Sequence, residues 1–361
     1  MTAGGIAMRK TAVYRDDLFL EHQPGYGHPE SSDRLRVIYD ELDKKKVGDH
    51  FVYPQFDPAS HDSIRLNHSD TLVKRVADTR GNDHDYLDAD TRTSARSYEA
   101  ACLAVGALID GIRRIEQGEI DNAFCPVRPP GHHAELDQSM GFCLFNNVAI
   151  GARWAMQELG MKRIMIIDWD LHHGNGTQHS FYDTDKVLYL SSHQFPYYPG
   201  TGALVETGRG DGDGYTINVP LRGGQGDMEF ARIYNELVVP VAREYKPELI
   251  LISCGFDIYN GDPLGAMQVS PDGFGWMTRK MVEVAEEVCN GNLLITLEGG
   301  YNLTGMRDGA LAVLAELCGE KLDCGYPVNL LPEKAAALAG SNVDCPPLDQ
   351  ALQITKNYWK L

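Results

Sequence analysis

Eight short runs dominated by apolar residues alternate along the chain with longer stretches of helical periodicity. The runs are Thr11–Arg15, His50–Tyr53, Asn122–Val127, Arg163–Asp168, Lys186–Ser191, Tyr215–Pro220, Glu248–Ser253 and Asn292–Leu297, all of strand length. Helices are predicted over Ser31–Lys46, Ser94–Gln117, Phe145–Leu159, Asp227–Tyr245, Pro271–Asn290 and Thr304–Gly319. Strand, loop and helix in regular alternation predict a three-layer α/β/α architecture with a mostly parallel sheet of about eight strands. No repeat, low-complexity segment or Pro/Ser-rich linker divides the chain, so one domain is expected over residues 1–361. Its core spans about 11–320, a tail of about 321–361 packs on it, and Pro346-Pro347 reads as a turn.

In open α/β sheets ligands bind beyond the carboxyl ends of the strands. At one such end the apolar Ile164–Ile167 gives way to Asp168, Asp170, His172 and His173, followed by Asn175. Hard carboxylate oxygens and borderline imidazole nitrogens together suit zinc or a related divalent ion. A polar loop with hydrogen-bonded histidines would explain one His, but strains to explain four metal-competent side chains within six residues. Other strand ends carry matching parts. After Asn122–Val127, Arg128-Pro-Pro-Gly leads into His132 and His133, two imidazoles able to transfer protons or bind metal; a stiff Pro-Pro-Gly turn argues against a merely exposed pair. Asp257 follows Glu248–Ser253, as a third ligand or an Asx-turn residue. Tyr301 follows Asn292–Leu297 behind two glycines, projected inward or packed on the surface. Phe142 and the loop around Tyr198 are walls for a slim substrate, or ordinary core and loop packing.

Charge adds a preference. With 33 Lys and Arg against 51 Asp and Glu the net charge is −18, which disfavours nonspecific binding to nucleic acid or an anionic membrane and attracts cationic substrates or basic peptides; solubility alone explains it as well. No apolar run reaches the roughly 18 residues of a membrane span, and the first ten residues lack a signal-peptide layout. The eight cysteines form no CxxC pair and several sit in apolar runs, so buried free thiols in a reducing cytoplasm are expected.

The segments RPPGHHA, MGFCLFNN, DWDLHHGNGTQ, PGTG, CGFD with GDPLG, and LEGGYN resemble, in order and spacing, those of the histone deacetylase superfamily within the arginase/deacetylase fold. The similarity runs from about Val13 to Gly319, and Asn175, Gly-Phe-Asp257 and Glu298-Gly-Gly-Tyr301 resemble class II enzymes and bacterial deacetylase-like amidohydrolases. The resemblance implies zinc (or ferrous iron in the cell) on Asp170, His172 and Asp257. It implies His133 as general base and then acid, His132 as its neighbour oriented by Asp168, Asn175 as partner of His133, and Tyr301 as hydrogen-bond donor to the oxyanion. Gly141, Phe142 and Tyr198 would line the acyl-lysine channel, Tyr198 departing from a common Phe. Leu264 would stand at the gate, where polyamine deacetylases carry glutamate, and Asp85 in the acidic rim loop. A structural potassium ion would be held by main-chain carbonyls of Asp168, Asp170 and His172 with residues near Ser191 and Ser192. A second monovalent site would involve residues 181–187 and Tyr215.

The resemblance implies removal of acetyl or other short acyl groups from acylated lysine or similar N-acyl amines, and leaves a homo-oligomer open, since such enzymes include monomers, dimers and tetramers. An acetylpolyamine amidohydrolase is the alternative, favoured by the acidic charge and opposed by Leu264. A catalytically silent acyl-lysine binding module would have lost a ligand, a catalytic His or the Tyr, and none is lost. A binuclear manganese hydrolase of the arginase type would need further Asp/His ligands where His132 and His133 stand.

Overall fold

The computed structural model describes residues 8–361, so most of the segment read for a signal peptide lies outside the described residues. Seven strands form the central sheet: β1 (Thr11–Val13), β4 (Asn122–Cys125), β5 (Ile164–Asp168), β6 (Val187–Gln194), β7 (Thr216–Leu221), β8 (Leu249–Cys254) and β9 (Leu293–Leu297), in the order β1-β4-β9-β8-β5-β6-β7. Every pairing is parallel. β5, β8 and β9 are buried along their whole length, as expected of strands covered by helices on both faces, and this is why they read as unbroken apolar runs.

The eighth expected strand, His50–Tyr53, is not one. Val52 makes a single parallel bridge to Ala12, with Val52 N–H donating to Thr11 and Val13 N–H to Val52. The next rung on that side would need an N–H from residue 54, which is a proline, so the ladder stops. A two-stranded antiparallel hairpin outside the main sheet, β2 (Asp85–Tyr86) with β3 (Arg92–Thr93), carries the acidic rim loop.

Pro346-Pro347 does not form a turn but opens the helix Pro346–Thr355, since a missing N–H costs nothing in a first helical turn. The C-terminal segment lies along the β7 side, where Trp359 Nε1 donates to the Gly214 carbonyl at 2.8 Å and Arg232 pairs with Asp349 at 2.6 Å. The expected helix 227–245 contains a π-helical stretch, Tyr234–Val238, just before Pro240, whose ring nitrogen has no proton for an α-helical bond.

Candidate active site

Parallel pairing in register brings the carboxyl ends of β4, β9, β8 and β5 side by side, and four loops converge there. Asp168 closes β5 level with Ser253 of β8, and Cys254 is level with Leu297 of β9. Glu298 ties the loops together: its buried carboxylate accepts from the N–H groups of Gly131 (2.7 Å) and His132 (3.1 Å) and from the Ser253 hydroxyl (3.0 Å).

Asp170, His172 and Asp257 bring one donor atom each to within 4.8 Å of one another, all of them buried. Close approach depends on glycine: a Cβ on Gly299 would stand 2.3 Å from Asp257 Oδ2 and 2.7 Å from Asp170 Oδ2. Asp257 Oδ1 accepts from Leu171 N–H, and the buried Asp257 Oδ2 faces only His172 Nδ1, at 3.2 Å. Burial, reinforced by Asp170, pushes the Asp257 carboxyl up to about 7. Burial would lower His172, yet hydrogen bonds to Asp170 and Asp257 raise it to about 9. These groups could hold a cation, and two oxygens with one nitrogen fit a divalent ion of the zinc type. A second cluster, His132, Cys143 and Glu298, is also compact and buried, but its carboxylate is already occupied by three protein donors.

The two histidines of the β4 loop are tethered differently. His132 Nδ1 lies 3.0 Å from Asp168 Oδ2, which also accepts from Tyr189 at 3.0 Å. Burial opposes charge on His132, but Asp170 and Asp168 overcome it and lift the imidazole to about 10. His133 Nδ1 lies 2.7 Å from Asn175 Oδ1, an uncharged partner. Burial, with positive neighbours in His132 and His172, holds His133 well below the usual histidine range. Two neighbouring rings, tilted at 44° with centroids 4.0 Å apart, are thus biased oppositely: the surroundings of His132 favour its charged form and those of His133 its neutral form.

Tyr301 is fixed through its backbone. Its N–H and that of Asn302 donate to Asp262 Oδ2 at 2.7 and 2.9 Å, and Asn302 then caps the helix Leu303–Cys318. Phe142 packs edge-on against Tyr301, centroids 6.0 Å apart, and Tyr198 packs edge-on against His133 at 5.1 Å. Gly141 has φ +57°, and a Cβ there would stand 2.4 Å from the His133 ring, so this glycine makes room for the imidazole. Leu264 is held by Tyr197, whose hydroxyl donates to its carbonyl at 2.9 Å while its ring stacks on His172. His173 bonds Thr201 and Gln178 through its two nitrogens, a structural role. Ser191 and Ser192 are buried in β6, Ser191 beside His193 at 2.9 Å.

Asp85 is not brought to this cluster: its carboxylate accepts from Tyr86 N–H and Asn82, and it borders a cavity with Lys74 and Arg75. From the same hairpin, Asp90 and Asp88 instead lie near enough to Tyr198 to add to the rise of its phenol pKa, which burial dominates. Sequence reasoning also passed over a buried network. Glu30 pairs with Arg34 (2.8 Å) and Arg128 (2.5 Å), and Arg34 donates to the carbonyls of Gly300 (2.6 Å) and Glu298 (2.5 Å). The spacing of Glu30 and Arg34, four residues apart at a predicted helix start, was its available signal.

Comparison with known proteins gives the family. Residues 28–317 match the histone deacetylase domain. A probable deacetylase of Archaeoglobus fulgidus is 37% identical over 97% of this chain and 99% of its own length. Histone deacetylase 5 of Arabidopsis thaliana is 38% identical over 90% of this chain, which spans only 51% of that protein. The crystal structure of the HDA15 HD domain superposes with a TM-score of 0.86 at 36% identity, covering 98% of this chain and 96% of that one. The chain belongs to the histone deacetylase family. With relatives named deacetylases, it falls among hydrolases that act on acylated substrates. Among the described residues no helix is long and apolar enough to cross a membrane.

Proposed function

We propose that this chain is a zinc-dependent amidohydrolase that removes acetyl or other short acyl groups from acylated lysine side chains. The observation that carries the reading is the close triad Asp170, His172 and Asp257, whose buried Asp257 Oδ2 faces only His172, beside a histidine held neutral. A divalent cation bound there would polarise a substrate carbonyl and lower the pKa of a water toward about 7. His133 takes the proton from the attacking water and returns it to the departing amine, and its lowered pKa keeps it a base near neutrality. His132, anchored on Asp168, supplies fixed positive charge beside the developing oxyanion. Tyr301 donates a hydrogen bond to that oxygen and keeps its proton. Phe142, Gly141 and Tyr198 bound the acyl-lysine channel, with Leu264 at the gate and an acidic rim supplied by Asp88 and Asp90, while Asp85 stands apart from it.

The main-chain potassium site at Asp168, Asp170, His172, Ser191 and Ser192 is part of the proposal, but no step depends on it. Eight free cysteines, seven of them buried, suit a reducing cytoplasm. One observation favours a polyamine as substrate: Asp88 and Asp90 beside Tyr198 place negative charge near the channel. The test is a panel of acetyl-lysine peptide, longer acyl-lysine peptides and N-acetylputrescine, run on protein of measured metal content. Preferred turnover of the peptides is expected. Faster hydrolysis of the polyamine would replace this reading with the alternative, and binding without turnover of any amide would make the chain an acyl-lysine binding module.

A further inference from the structure

The partner of His133 is an asparagine, and an asparagine has two unlike ends. If Asn175 presents its oxygen, His133 must carry its proton on Nδ1 and leave the lone pair on Nε2. If it presents its NH2 group, the lone pair moves to Nδ1 and is spent on the amide. An aspartate there would accept at either oxygen and need no orienting. Asn175 therefore needs something that tells its two ends apart.

We infer that Glu135 is that positioning residue: it holds the Asn175 amide nitrogen, turns the amide oxygen toward His133, and so commits His133 to the tautomer with a free Nε2. The role rests on the proposed use of His133 as a base. Three acceptors and no donor surround the amide nitrogen: Glu135 Oε1 at 2.5 Å, the His133 carbonyl at 3.3 Å and Met140 Sδ at 3.6 Å. A flipped amide would aim its oxygen at a carboxylate oxygen. The other two acceptors are long or weak, so the charged Glu135 decides the orientation. Glu135 is itself fixed at three points. Its N–H donates to Gln138 (2.8 Å), its carbonyl accepts from His68 Nδ1 (2.8 Å), and its carboxylate bonds His179 Nδ1 (2.8 Å). Only Ala134 separates it from His133, so the loop that carries the base also carries the device that orients the partner of the base.

The tautomer can be read directly. Protein labelled with 15N-histidine, metal-free and at a pH where the ring is neutral, gives a His133 signal identified by its loss in His133→Ala. Wild type is expected to show a protonated Nδ1 and a bare Nε2. Glu135→Leu is expected to show a mixture of tautomers and to lose at least about tenfold in kcat, with KM within about twofold, because acid–base catalysis contributes roughly 10²–10⁴-fold. Glu135→Gln, whose own oxygen can still accept from Asn175, restores the single tautomer. So does Glu135→Leu combined with Asn175→Asp, since a carboxylate has no wrong way round. An unchanged Nδ1–H signal in Glu135→Leu, or failure of both restorations, overturns the inference. The spectrum requires no turnover, so a tautomer shift in a protein inactive on every acyl amine would uphold the orienting role while rejecting the proposed reaction.

Discussion

The Arg34 guanidinium lies over the Tyr301 ring, its central carbon 5.1 Å from the ring centroid, while the same group grips the Gly300 and Glu298 carbonyls. The phenol is thus held from behind by a cation and from its backbone by Asp262. Its environment keeps it protonated: burial pushes its pKa well above the usual tyrosine value, against the pull of Arg34. Such a group donates a hydrogen bond and does not act as a base. Tyr301→Phe should therefore keep its fold and its metal content while kcat falls about 100- to 1,000-fold, the usual cost of one oxyanion donor. Steady-state kinetics with metal analysis on the same sample checks this; wild-type kcat in the variant would remove Tyr301 from the reaction.

Metal binding should be visible as stability. Asp257 Oδ2 has only His172 Nδ1 beside it, so zinc added to metal-free protein is expected to raise the melting temperature, stabilising the fold by about 2.7 kcal/mol at free zinc a hundredfold above Kd. Asp257→Ala should show no such rise and retain no zinc after dialysis. A full zinc-dependent shift in that variant would place the ion elsewhere.

These two sites differ in how far the sequence announced them. Asp170, His172 and Asp257 were readable because buried parallel strands are near-continuous apolar runs, and a sudden carboxylate or imidazole marks the strand end. What Arg34 does was not readable, because its acceptors are main-chain carbonyls and its partner Glu30 meets an arginine 98 residues away. Asp85 was singled out in the rim while Asp88 and Asp90 lie near Tyr198, since a two-residue hairpin strand has too little periodicity to set register. His50–Tyr53 failed as a strand at Pro54, a residue just outside the apolar run.

Glu30 should be among the most destabilising single sites in the chain. It is fully buried between Arg34 and Arg128, and although burial favours its neutral form, Arg128 first among its partners holds its pKa well below the usual range. Glu30→Gln leaves two buried guanidinium groups without their counter-charge, and a broken buried pair costs about 3–5 kcal/mol. Urea unfolding of metal-free protein is expected to show a loss of that order. A midpoint indistinguishable from wild type would mean that water or another acceptor takes over the two arginines.

Stability should fall as the pH is lowered from neutrality, and His68 identifies one source. Its Nε2 accepts the Asn146 N–H at 2.8 Å, so its proton sits on Nδ1, which donates to the Glu135 carbonyl. A second proton would have to enter at Nε2, against an N–H donor and inside the protein. Burial accordingly lowers the folded-state pKa to about 4, against about 6.5 in an unfolded chain. The unfolded state therefore binds more protons between pH 6.5 and 4, and its gain is absent above 6.5 and complete below 4. A difference of that size is worth about 3 kcal/mol across the window. In chemical denaturation of metal-free protein at a series of pH values, wild type should lose stability over this range. His68→Gln, which cannot titrate, should show a correspondingly flatter profile although it starts less stable at pH 7. Parallel profiles for the two proteins would show that His68 is not the group responsible.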